Sequence, residues 1–176
     1  MIEAIKGGHA RLAQSLIKQG SIDITVSMQA QILESAVDYG HEDIVRGALE
    51  NKADLNSNES RDTALTQAAN KGHTKIARLL ISHGADANQG GRTWTPLTRA
   101  AQRGYRELAQ ILLENGADID GGGSPSPLCV AASHGQDEMF SFLVKAGADV
   151  SSLKQEPGFP LGGAASRGYE TMIHTL

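Results

Sequence analysis

With 176 residues, 40% of them hydrophobic, the chain has the length of one ordinary domain, and its net charge of −4 from 16 basic and 20 acidic residues argues against nucleic acid or an anionic membrane as its partner. A single cysteine, Cys129, cannot close an internal disulfide; with no long uncharged apolar run or signal-peptide pattern, a reducing compartment, cytoplasm or nucleus, is expected. Aromatics make up only 4% of the chain, so an interior of small residues is expected and Trp94, the one tryptophan, stands out.

Gly8, Gly40, Gly72, Gly104, Gly135 and Gly168 recur at intervals of 32, 32, 32, 31 and 33 residues. A period near 33 that carries two short amphipathic stretches indicates a solenoid, in which each unit touches only its neighbours. About six units are expected in one array: a partial unit over 1–24, then 25–56, 57–88, 89–120, 121–150 and a truncated unit over 151–176.

The chain opens inside a first helix, with Ala4 and Ile5 at its buried positions. The second unit is a weak copy that runs from Gln31, with Gly47 and Ala48 thinning its second helix. Lys52 stands where a helix-ending glycine is expected, at a cost of roughly 1 kcal/mol in the left-handed region, so the first two units are expected to open first.

The third and fourth units read TALTQAANKGHTKIARLLISHGADAN from Thr63 and TPLTRAAQRGYRELAQILLENGADID from Thr95. The Thr95 hydroxyl can cap a helix, and Pro96 suits the first helical position, where a missing N–H costs nothing. Leu97, Ala100 and Ala101 then share one face of a helix of about two turns. Gly104 ends that helix in the left-handed conformation, and a second helix follows with Leu108, Ile111, Leu112 and Leu113 inward, closed by Gly116. Isolated helices below roughly 12 residues are marginal in water, so stability must come from stacking. Ala68, Ala69, Ala100, Ala101, Ala131 and Ala132 recur in matching places and let successive hairpins approach closely.

The fifth unit reads SPLCVAASHGQDEMFSFLVKAGADV from Ser126. The preceding Gly121, Gly122 and Gly123 read as a shortened, tightly turned finger; a phosphate cradle would need a following lysine with serine or threonine and a preceding strand. A weaker copy from Phe159 stops at Leu176, partway along a second helix carrying Met172 and Ile173. Neither end has the polar face of a capping unit, so a segment of a longer array or multidomain protein is expected, the alternative being a complete protein with frayed ends.

These units resemble ankyrin repeats over essentially all of the chain. The resemblance implies an all-α ankyrin-repeat solenoid of stacked helix-turn-helix units joined by short finger turns. Ankyrin repeats commonly carry a histidine two residues after the proline, tying neighbouring turns together. Here those places hold Glu34, Thr66, Thr98, Cys129 and Gly162, so a weaker inter-unit network is expected in the last two units.

The chemistry-bearing residues read as structural. His9, His41 and His73 repeat at the unit period, but helices packed roughly 8 to 10 Å apart cannot bring them to one metal centre. Tyr105, Gln136 and Tyr169 fill the same column, as a packing position at a helix start would allow. His83 reads as a solvated helix-end residue. Cys129 falls at a buried place with no histidine and orienting carboxylate to activate it. Asp54, Asp86, Asp118 and Asp149 read as turn and cap residues. No enzyme, metal or cofactor is expected.

In the ankyrin family partners usually meet the concave side, formed by finger tips and the exposed edge of the first helices. Carried over, this gives Asp38 and Tyr39, Asn70 and Lys71, Gln102 and Arg103, then Ser133 and His134, with Glu59, Arg61, Asp62, Arg92 and Trp94 on fingers. Trp94 is the favoured anchor, since tryptophan and arginine dominate interface energies; its ring could instead fold onto the neighbouring finger. Arg92, Arg99, Arg103 and Lys71 make the middle of this face basic, so an acidic protein or peptide is the expected partner. The resemblance thus implies a protein-interaction module; the rivals are the targeting segment of a larger enzyme, channel or ubiquitin-ligase adaptor, and nucleic-acid binding through the basic stretch.

Overall fold

The computed structural model describes residues 26–51, 53, 55, 62–90, 94–122, 125–151 and 153. Among them the chain forms eight α-helices and no strand, in four hairpins. The first pair is α1 (Val26–Asp38) and α2 (Glu42–Glu50), the second α3 (Ala64–Lys71) and α4 (Thr74–Ser82). Then come α5 (Pro96–Arg103) with α6 (Arg106–Glu114), and α7 (Pro127–Ser133) with α8 (Asp137–Ala146).

The starts of α3, α5 and α7 follow from side-chain caps. Thr63, Thr95 and Ser126 are extended, and each hydroxyl accepts from the backbone N–H three residues on, at Thr66, Thr98 and Cys129. Pro96 and Pro127 fill the first helical position. α1 departs from the expected copy beginning at Gln31, since it starts at Val26 and runs 13 residues. Its sequence VSMQAQILESAVD holds neither a proline nor a Thr-Pro pair to halt the helix upstream of Gln31. Gly72 and Gly104 close α3 and α5 with φ of 75° and 74°.

First helices stack on first helices, more intimately than second helices on second. Ala68, Ala69, Ala100, Ala101 and Ala131 are wholly buried and Ala132 nearly so, which fits the close approach. In α6 the buried face is Leu108, Ala109, Ile111 and Leu112. Leu113, expected inward, is only partly buried, and Ala109 takes the inward place. Gly47 and Ala48 do not break α2, which runs through both and buries Ala48.

Fingers are tied by short polar turns. Asp86, Asp118 and Asp149 accept from the backbone N–H two residues later, at Asn88, Asp120 and Ser151. The Ser151 hydroxyl also donates to Asp149, and these two bonds hold the Asp149 carboxyl below its ordinary pKa. In two of the three turns the residue two beyond the aspartate then reaches the next unit: Asn88 Oδ1 accepts from Asp118 N at 2.7 Å, and Asp120 Oδ1 from Asp149 N at 2.9 Å. Thr63 Oγ1 donates to Gln89 O at 3.2 Å and Thr66 Oγ1 to the same carbonyl at 3.5 Å, so threonine supplies an inter-unit tie in the third unit. Gly121 and Gly122 turn the short finger with φ of 76° and 60°. Lys52, Asp54, His9, Gly123, Gly162, the first unit and all of the last unit except Ser151 and Leu153, with Ala4, Ile5, Met172 and Ile173, lie outside the described residues.

Candidate interaction surface

The ends of α1, α3, α5 and α7 lie in register, because each first helix stops at the same point in its unit. Across this edge the structure joins neighbouring units by side-chain rungs about one period long. Asp38 Oδ1 stands 2.8 Å from Lys71 Nζ, Asn70 Oδ1 accepts from Arg103 Nε at 3.3 Å, and Gln102 Nε2 lies 3.1 Å from His134 Nε2. Gln67 Nε2 donates to Asp38 Oδ1 as well, at 3.3 Å. Six of the residues expected at the surface are thus brought together in pairs, a coupling absent from the position-by-position reading. Among the described residues Tyr39 is the most exposed large apolar side chain, at 47%, and its ring stacks on His41.

Trp94 is half-buried, neither sealed in the interior nor fully free. The guanidinium of Arg99 lies 4.6 Å from its ring centroid, and His134 meets it edge-on at 6.5 Å. Trp94 therefore lies against both α5 and the end of α7. Arg99 also faces Asp62 of the preceding finger at 3.5 Å; their side chains are 20% and 21% exposed, the most enclosed ion pair among the described residues. The Nε of Arg99 is buried without a hydrogen-bond partner, as is Oε1 of Gln102. Each such atom costs about 1 to 3 kcal/mol in lost hydration.

These pairings reduce the positive charge expected here. Lys71 and Arg99 each have an internal carboxylate, leaving Arg103, which meets only the neutral Asn70 amide, as the strip's cation without an acidic partner among the described residues. Arg92, Glu59 and Arg61 lie outside the described residues. Lys71 and Asp38 remain over a third exposed, so that bridge contributes little and can open to a partner.

On the side of the second helices, a shallow cleft of about 450 Å³ lies among Arg106, Asp137, Glu138, Ser141, Phe142 and Lys145. Arg106 sits over the Phe142 ring at 5.5 Å, a contact that periodicity alone does not reveal. Two cations and two carboxylates share its rim.

Among the described residues no three His, Cys, Asp or Glu side chains gather where a metal ion could be held, and no helix is long and apolar enough to cross a membrane. His41 and His73 open α2 and α4, and the His73 ring packs over Gly40. Cys129 is buried at 3% exposure. His83 is exposed at the end of α4, with Nδ1 2.9 Å from Leu79 O.

Comparison with curated proteins finds no match to the chain. The family model for ankyrin repeats in three copies matches residues 36–122 and 93–154, well over half of the sequence. The helical hairpins, the capping residues and this match agree: the chain belongs to the ankyrin-repeat family, whose members are in general protein-interaction modules.

Proposed function

We propose that this chain is a protein-binding module with no chemistry of its own, and that it docks a carboxylate-bearing partner along the strip from Asp38 and Tyr39 to His134. The observation that carries the reading is Arg103. It is exposed, has no acidic partner among the described residues, and presents a guanidinium fork suited to bidentate carboxylate recognition. Trp94, half-buried before α5 in the same unit, supplies the aromatic surface on which interface energy concentrates. Lys71 and Arg99 can add charge by exchanging their internal carboxylates for those of the partner, which makes selectivity depend on the partner's spacing of acidic groups. The setting that suits the lone buried thiol of Cys129 is the reducing cytoplasm or nucleus.

Partner capture by the intact chain, followed by quantitative binding, tests this. The double variant Trp94→Ala, Arg103→Glu should keep its helical signal and lose about 30-fold or more in affinity, the loss expected when about 2 kcal/mol of anchoring is removed. A folded double variant that binds undiminished overturns the site.

A further inference from the structure

Asp62 and Trp94 hold the same place in successive units, each one residue before a capping threonine, Thr63 or Thr95. The side chain of Arg99, in the first turn of α5, lies against both. Its guanidinium covers one face of the indole at 4.6 Å, and Nη2 donates to Asp62 Oδ2 at 3.5 Å, longer than the roughly 2.7 to 2.9 Å of a well-formed charged bond. Nε is buried with no hydrogen-bond partner. Arg99 is thus enclosed yet under-bonded, unlike Lys71, which meets Asp38 at 2.8 Å on a more exposed bridge. The guanidinium and the indole face, two groups suited to grip an acidic partner, occupy each other in the free chain, and Asp62 holds them there.

We propose that Asp62 is a built-in competitor for the docking strip: in the free chain its carboxylate keeps Arg99 folded on Trp94, and a partner's carboxylate replaces it, turning the guanidinium outward and baring the indole face. The proposal rests on the docking reading above and makes Asp62 a residue that sets its specificity. Opening breaks the long Asp62 bond and the ring contact, but it brings the unmet Nε–H to the surface. There Nε and Nη2 form the edge on which a carboxylate is held by two parallel bonds. Asp62 is already 21% exposed, so its carboxylate meets water as the guanidinium leaves and no buried charge is stranded. Arg103 lies four residues further along α5, one helical turn or about 6 Å away. A partner therefore gains Arg99 only by out-competing Asp62. That favours closely spaced acidic groups, the second of which reaches Arg99 while the first is held on Arg103.

If Asp62 were merely structural its removal would weaken binding, so the test is a gain. The probe is a capped octaglutamate peptide, titrated into the intact chain at low ionic strength and followed by calorimetry and by the emission of Trp94, the single indole. Asp62→Asn and Asp62→Ala should each bind it about 5-fold or more tightly than the unaltered chain, the worth of one ion pair at the upper end of the partly exposed range. Adding Arg99→Gln to Asp62→Asn should abolish the gain. Glu107→Gln removes the same charge from the outward side, where Glu107 faces Arg78, and should leave the affinity as it was. Equal or weaker binding by both Asp62 variants, no binding by any of these chains, a gain that survives Arg99→Gln, or an equal gain from Glu107→Gln overturns the proposal. The docking reading is judged separately: if Trp94→Ala, Arg103→Glu binds the captured partner undiminished while Asp62→Asn still gains affinity for octaglutamate, that reading alone fails.

Discussion

Tyr105, which opens α6, lies directly over Gly72, which closes α3 one unit earlier: a Cβ on that glycine would stand 2.7 Å from Cζ of the ring. The arrangement recurs. A Cβ on Gly40 would stand 3.0 Å from Cε1 of His73, and one on Gly104 would stand 2.9 Å from Cδ of Gln136. The regular glycines therefore serve two needs at once, a left-handed helix end and a bare surface on which the next unit rests. The side chain resting there can be imidazole, phenol or amide, which explains why that column varies while the glycines do not.

Gly72→Ala should consequently destabilise the array by more than Gly116→Ala. Both glycines are left-handed, with φ of 75° and 86°, and each alanine costs roughly 1 to 2 kcal/mol on that ground. Only Gly72 has a ring against it; nothing lies within 4 Å of a Cβ on Gly116. Denaturant unfolding of both variants gives the ranking, and the pair Gly72→Ala, Tyr105→Ala should recover part of the excess as a coupling of about 0.5 to 3 kcal/mol. Equal costs at the two glycines would contradict the packing role.

Thr63→Ala should cost about 1 to 2 kcal/mol, since it removes the cap of α3 and the bond to Gln89 O together. Thermal unfolding measures it. Thr63→Ser keeps the hydroxyl and should restore most of the loss.

Ala100→Leu should cost roughly 1 to 3 kcal/mol by overpacking, because Ala100 is wholly buried between stacked first helices. An unchanged unfolding midpoint would mean that the first helices are not close-packed at this place.

Ser151→Ala should raise the Asp149 pKa toward its ordinary value, because the hydroxyl bond to the ionised carboxylate is lost. The sign follows from the depressed native value. This turn's contribution is present above the unfolded pKa of the aspartate and is lost as pH falls through the lower, folded one. Carboxyl carbon NMR of the two proteins from about pH 6 to pH 2 spans both ends of that change.

Much of the fold could be read from local chemistry. Thr63, Thr95 and Ser126 each sit three residues before the N–H they cap, and Gly72 and Gly104 sit where their helices end, so hairpin borders needed no long-range knowledge. The early start of α1 escaped because the repeat frame was imposed on a segment that lacks the Thr-Pro brake. At the surface, the repeat columns bring Asp38, Asn70, Lys71, Gln102, Arg103 and His134 to neighbouring helix ends but do not say which of them pair. Lys71 and Asp38 are 33 positions apart and Arg99 and Asp62 are 37 apart, so their pairing depends on which units stack and how far each side chain reaches. The Trp94 position was equally ambiguous, since a ring beside a cap can turn outward or lie on its neighbours, and contacts with Arg99 and His134 hold it between those extremes.

The most direct test of the binding surface is a hydrogen-exchange footprint of the chain with a partner captured from its native source. Protection should fall on residues 94–103 and around Tyr39, Lys71 and His134, with the outward side of α4, α6 and α8 unchanged. Protection centred on the cleft between Arg106 and Phe142, with the strip unaffected, would contradict it.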